Sequence, residues 1–167
     1  MNFAGIIKND VAAGNGFCVS FFVQGCPHKC QGCHNPETWS FDGGKEFTAD
    51  TLKEILEALK ANGIKRDFCL MGGEPLCNEN AFLSYMIINA IKEKYPETKI
   101  YIWTGYTYEE LQKYPPHEKI PAILAVADYL IDGPFLLEER DITLKMRGSR
   151  NQKIWDLKNK IEITNNF

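Results

Sequence analysis

Apolar positions along the chain alternate between two periods. Residues 17–24 (FCVSFFVQ) form an aromatic and β-branched run that stops at Gly25, the pattern of a buried strand feeding a loop. Leu52, Ile55, Leu56 and Leu59 then recur at helical spacing behind Thr48, an N-cap type, with Gly63 just past the end. Residues 67–71 (DFCLM) predict a short strand ending at Gly72-Gly73, and Asn78 opens a helix whose Leu83, Met86, Ile87, Ala90 and Ile91 share one face. Residues 99–104 (KIYIWT) predict a third strand, and Thr107 with Glu110 has the spacing of a capping box for a short helix closed by Pro115-Pro116. A helical stretch near 121–127 leads into a fourth strand at 129–132 (YLID), closed by Gly133-Pro134, and residues 160–164 (KIEIT) suggest a late strand.

Strands that alternate with helices pair in parallel, and right-handed crossovers bring all strand ends of one polarity to one rim. The expected fold is α/β, a parallel-sheet partial (βα) barrel open on one side because so few strands are available, in a single domain over residues 1–167. Four chemically unusual stretches each follow a predicted strand: GCPHKCQGCHN (25–35), GGEP (72–75), TGYT (104–107) and DGPF (132–135). In parallel α/β folds ligands collect at that rim, so the four are expected to converge there.

Composition narrows the partners. With 44% hydrophobic and 25% charged residues in 167, the chain can bury a core without staples. Its 19 Lys+Arg against 22 Asp+Glu give a net charge of −3 with no basic block, which argues against nucleic acid or an anionic membrane surface as partner. No charged leader followed by a long apolar stretch opens the sequence, and the expected location is the cytoplasm. Six cysteines with three crowded together in such a chain favour metal ligation over disulfides.

Cys26, Cys30 and Cys33 form C-x3-C-x2-C, followed by His34. A structural zinc site needs four ligands, usually two short pairs, and no second pair follows; a zinc interaction module would have to borrow from His28, His34, Cys69 or Cys77. The plainer reading of Cys18, Cys69 and Cys77 is as small buried side chains. Three thiolates on one loop suit a [4Fe–4S] cube with one iron left open to substrate. The two glycines of GGEP let backbone approach a ligand, and Glu74 supplies a negative acceptor for an ammonium group, although such a sequence is also ordinary turn chemistry.

The C-x3-C-x2-C spacing resembles the signature of the radical S-adenosylmethionine (SAM) enzymes, and Gly72, Gly73, Glu74 and Pro75 resemble that superfamily's SAM amino-group motif. WTGYT (103–107), DYLIDGPF (128–135) and RGSRNQ (147–152), together with SFFVQGC, CHNPETW and GGEPL, resemble the activating proteins of anaerobic ribonucleotide reductase from about residue 10 to 153. The resemblance implies a radical SAM type of fold, a [4Fe–4S] cluster on Cys26, Cys30 and Cys33, and SAM as the second cofactor. It further implies one-electron cleavage of SAM to methionine and a 5′-deoxyadenosyl radical, which takes hydrogen from a glycine Cα of the large reductase subunit. A low-potential donor of flavodoxin or ferredoxin type would supply the electron. Gly32 stands where the superfamily often has an aromatic, leaving His34 to contact the adenosine. Thr104 and Asp132, at strand ends, are further candidates to order SAM, with turn formation the alternative for Asp132. Activation of pyruvate formate-lyase, suggested by Cys33-His34-Asn35, and a small-molecule radical SAM reaction such as deazaguanine formation are the alternatives within this chemistry.

Overall fold

The computed structural model describes residues 1–165. Among these residues one sheet carries eight strands: β1 (Asn2–Asp10), β2 (Cys18–Val23), β3 (Lys45–Glu46), β4 (Asp67–Gly72), β5 (Ile100–Trp103), β6 (Tyr129–Asp132), β7 (Lys153–Asp156) and β8 (Ile161–Glu162). The helices are α1 (Ala49–Lys60), α2 (Ala81–Lys94), α3 (Tyr108–Lys113) and α4 (Ile120–Val126). Strand order is β3-β1-β2-β4-β5-β6-β7-β8, with β2, β4, β5 and β6 parallel. The fold is therefore mixed α/β around a large sheet, and the four strands read from the sequence are its parallel centre.

The other four strands are antiparallel additions; β8 falls within the late strand expected at 160–164, whereas β1, β3 and β7 lengthen the sheet beyond what the sequence suggests. β1 pairs with β2 and β3 on one side, and β7 pairs with β6 and β8 on the other. β1 is half-exposed along most of its length and interrupted by irregular register near Gly5, so its sequence shows no clean alternation. β7 matters most for function. Because it runs antiparallel to β6, it starts where β6 ends, opposite Asp132, and so delivers the preceding RGSRNQ segment to the rim at which the parallel strands end.

The central strands read as nearly continuous apolar runs because both faces are covered. Val19, Phe21, Val23, Phe68, Leu70, Ile100, Ile102 and Leu130 belong to the main core with Ile55 and Leu59 of α1, Leu83, Ile87, Ile88 and Ile91 of α2, and Ile120 and Ile123 of α4. Each such buried aliphatic side chain contributes roughly 1.5–3 kcal/mol. Cys18, Cys69 and Tyr101 form a smaller cluster packed against Met71, Trp103, Tyr129 and Met146. Thr48 caps α1 as expected, with Thr51 closing a capping box that the sequence had not suggested, and the expected box of Thr107 and Glu110 starts α3. α2 begins at Ala81 rather than Asn78, because residues 75–80 turn first, with the N–H groups of Asn80 and Ala81 both donating to Cys77 O. Among the described residues no helix is long and apolar enough to cross a membrane.

Candidate iron–sulfur site

Register aligns the ends of the parallel strands: Val23 faces Gly72, and Trp103 faces Ile131. The loops that follow are thereby forced together. The cysteine loop is anchored at its start and at its return, where Gly25 N donates to Thr38 O at 2.8 Å and Cys26 N to Trp39 O at 3.1 Å. Buried Gln24 reinforces this with Nε2 donating to Glu37 O (3.0 Å) and Ser40 O (2.7 Å). The GGEP loop is fastened beside it, with Gly73 N donating to Val23 O and Glu74 N to Gly25 O, both at 2.8 Å. This approach explains Gly73: a Cβ there would stand 2.3 Å from Gly25 O.

One pocket gathers Cys26, Cys30 and Cys33 with Gly72, Gly73, Glu74 and Thr104. All three thiols are free and half-buried. Burial pushes the Cys26 thiol above its ordinary value, while backbone N–H groups of His28 and Lys29 act in the opposite sense. Cys33 Sγ accepts from Asn35 N at 3.4 Å, and Cys33 N donates to Cys30 O at 3.1 Å to close the turn between the last two cysteines. Hydrogen bonds of this kind to sulfur favour a thiolate ligand and tune a cluster's potential.

Glu74 is the electrostatic hub of the rim. It is 1% exposed; Oε1 accepts from Leu76 N (2.9 Å) and the Thr104 hydroxyl (2.7 Å), and Oε2 accepts from Gly105 N (2.7 Å). His28 Nε2 lies 3.0 Å from Oε2, off the line of a hydrogen bond, with its ring over Gly105 and edge-on to Tyr106. A buried carboxylate with these partners ties the cysteine loop, the GGEP loop and the turn after β5 into one unit.

The remaining candidates lie at varying distance from the thiols. His34 lines an adjoining cavity with Phe135, its ring 6.0 Å from that of Phe135. Gly32 adopts φ +75°, the left-handed turn conformation, beside Leu137, and Pro75 is buried with its carbonyl accepting from Ser84 Oγ. Neither lines the cysteine pocket. Asp132 is buried, and burial raises its carboxyl; it accepts from Tyr108 N (2.6 Å) at the start of α3 and from Lys153 N (3.2 Å) at the start of β7. It faces a different and larger cavity, of about 630 Å³, beside Lys153 and Trp155. Cys18, Cys69 and Cys77 are buried away from the pocket, as small side chains; burial raises the Cys77 thiol to about 12.

Two positioning residues escaped the sequence reading. Asn80 Nδ2 lies within 3.1 Å of the carbonyl oxygens of Gln24, Gly25 and Glu74, and Gln152 Oε1 accepts from the N–H groups of Gly148 and Ser149 while its Nε2 donates to Gly133 O. Gln152 closes the RGSRNQ segment without being singled out within it, and Asn80 is only an amide near a motif, a signal too common to mark it.

A family described as a 4Fe-4S single cluster domain matches residues 12–155, the span that holds the cysteine loop and every segment around it. By this match the chain belongs to a class of single-cluster iron–sulfur domains, and the thiol pocket lies within the matched span. Among similar proteins, the anaerobic ribonucleoside-triphosphate reductase-activating protein of Vibrio cholerae is 37% identical over 155 residues, 92% of this chain and 97% of that one. Those of Haemophilus influenzae (38% over 155 residues; 92% and 97%) and phage T4 (35% over 157; 93% and 94%) carry the same name. The chain belongs to the family of anaerobic ribonucleoside-triphosphate reductase-activating proteins.

Proposed function

We propose that this chain is a radical SAM enzyme that places a glycyl radical on the large subunit of anaerobic ribonucleoside-triphosphate reductase. The observation that carries the reading is the gathering of Cys26, Cys30 and Cys33 in one pocket with the GGEP backbone. Among the described residues no three His, Cys, Asp or Glu side chains converge as a single metal ion requires. Three thiols lining one pocket suit a cube, because each meets a different iron. Cys26, Cys30 and Cys33 would hold a cluster with one iron left for SAM, and such a cluster would supply one electron, taken from a reduced donor, for SAM cleavage that ends in methionine, 5′-deoxyadenosine and a radical at a glycine Cα of the reductase.

The chain's own residues hold and enclose. Cys26, Cys30 and Cys33 ligate; Gly72 and Gly73 offer unobstructed backbone to the SAM amino group; Glu74 adds negative potential there while keeping three loops in register. Thr104 sets the Glu74 carboxylate, and Gly32 shapes the turn that presents Cys33 and His34 toward the adenosine. Pro75 fixes the exit of the GGEP loop. Asp132 serves at one remove, aligning α3 and β7. Trp103 and Phe135 line the pocket wall and exclude water from a reactive radical. We read the sheet as a partial barrel open on one side, in one domain, because its four parallel strands end at this pocket and the α1, α2 and α4 side chains pack on the opposite face from Cys18, Cys69 and Tyr101. The reducing power comes from a low-potential flavodoxin or ferredoxin type of donor in the cytoplasm.

Anaerobic reconstitution with iron and sulfide tests this reading: it should give about four irons per chain for one cube, and dithionite with SAM should yield 5′-deoxyadenosine. A fully loaded protein that leaves SAM intact would refute it.

A further inference from the structure

Among the described residues Arg147 is a cation without an ion-pair partner, beside the thiol pocket. Cavities of about 190 Å³ and about 330 Å³ share Cys33, Trp103, Phe135 and Gln152, so they are two chambers of one cleft; Arg147 lines the second. Its Nη1 donates to Gln152 O at 3.0 Å, but its Nε is buried with no partner. Among the described residues no carboxylate comes within ion-pair distance of it. Glu162, which feels its charge, is engaged by Lys153 (3.2 Å) and the Thr164 hydroxyl (2.9 Å). A half-buried guanidinium without an ion-pair partner at the wall of a cavity is costly unless an anion joins it there.

The backbone is built to keep Arg147 there. Met146 adopts φ +58°, a left-handed conformation that non-glycine residues rarely hold, and its carbonyl accepts from Trp103 Nε1 at 2.7 Å. Gly148 N donates to Gln152 Oε1 at 2.8 Å, and Gln152 is pinned to Gly133 O at 3.0 Å. The ends of β5 and β6 therefore clamp both neighbours of Arg147, and local strain maintained in this way marks functional positions.

We propose that Arg147 is a substrate-positioning residue whose ligand is a carboxylate brought to the cleft during the reaction. The proposal rests on the radical SAM reading, which supplies a carboxylate and no phosphate: the methionyl carboxylate of SAM. The alternative source of the same chemistry is an acidic group of the reductase polypeptide entering the cleft. The planar fork of arginine matches a carboxylate in two parallel hydrogen bonds, which lysine cannot reproduce.

The test uses cluster-loaded wild type, Arg147→Gln and Arg147→Lys, matched for iron content and thermal midpoint, in anaerobic equilibrium dialysis with SAM and with decarboxylated SAM. If SAM is the source, wild type prefers SAM, and Arg147→Gln loses about tenfold or more of that preference through weaker SAM binding alone, with Arg147→Lys intermediate. If the partner is the source, the SAM preference is unchanged and Arg147→Gln instead weakens binding to the large reductase subunit by a similar factor. Unchanged binding in both arms overturns the proposal. Failure of loaded wild type to bind SAM would instead refute the radical SAM reading, and the reductase arm would then decide the role of Arg147.

Discussion

Replacing Glu74 by glutamine probes the joint on which the rim depends. The wild-type carboxylate is 1% exposed and accepts from Leu76 N, the Thr104 hydroxyl and Gly105 N, all at 2.7–2.9 Å. Glutamine keeps one acceptor oxygen and sets an NH2 group where the other stood. If that oxygen serves Gly105, the new amide faces Leu76 N–H; if it serves Leu76, the amide faces Gly105 N–H. Either way one buried backbone donor loses its partner, and the remaining bonds are no longer charge-assisted. The cost should be roughly 2–3 kcal/mol, equivalent to a fall of about 5–10 °C in melting midpoint for a chain this long. Thr104→Val alone removes one donor to the carboxylate and one acceptor for Tyr106 N (3.2 Å), and should cost about 1–2 kcal/mol. Because the two residues touch, the double variant should be less destabilised than the sum by on the order of 1 kcal/mol. Urea unfolding of the reduced, cluster-free protein, followed by far-UV circular dichroism, measures all four corners without contribution from bound cofactor. A Glu74→Gln midpoint equal to wild type, with strictly additive effects, would refute the hub.

Other expectations are separable. Gly73→Ala drives a methyl to 2.3 Å from Gly25 O, so the GGEP and cysteine loops must part, and iron loading after reconstitution should fall well below wild type; full loading would show that the contact is dispensable. Cys26→Ala, Cys30→Ala and Cys33→Ala should each lower bound iron, whereas Cys77→Ala should keep it and lose only about 1 kcal/mol of stability from a small cavity; colorimetric iron assay with thermal melts distinguishes the two groups. Asp128 is nearly buried; burial raises its carboxyl, but Lys158, Lys92 and Ile100 N–H outweigh that and hold it below the usual carboxylate range. Its stabilisation is therefore complete above the unfolded value near 3.9 and disappears as pH falls through the lower folded value. Asp128→Asn should cost about 2–3 kcal/mol at neutral pH and converge on wild type in acid; a gap that stays constant below pH 3 would contradict the sign.

The parallel centre of the fold was legible because its strands are buried on both faces and punctuated by glycine, as at Gly25, Gly72-Gly73 and Gly133. Of the antiparallel margins only β8, within 160–164, was. β1 is half-exposed with a broken register, and Lys153–Asp156 offers only Ile154 as a fully buried apolar residue, so neither presents a period. Missing β7 also concealed why RGSRNQ belongs at the rim: strand direction puts it there, a tertiary fact with no local signal. At the site the cysteines, Gly72, Gly73, Glu74 and Thr104 line one pocket, since each segment follows a parallel strand, while Pro75 does not reach it. Asp132 follows one too, yet its carboxylate turns toward α3 and β7 and away from the thiols. Sequence placed the residue on the rim; only packing decided which side of it the carboxylate serves.

The most direct measurement is electron paramagnetic resonance of the oxygen-free, iron-loaded protein mixed with dithionite, SAM and the large reductase subunit. A glycyl doublet is expected on the reductase, absent without SAM and absent when Cys26, Cys30 or Cys33 is replaced by alanine. A loaded protein that cleaves SAM in the presence of the reductase while no doublet appears would contradict that expectation.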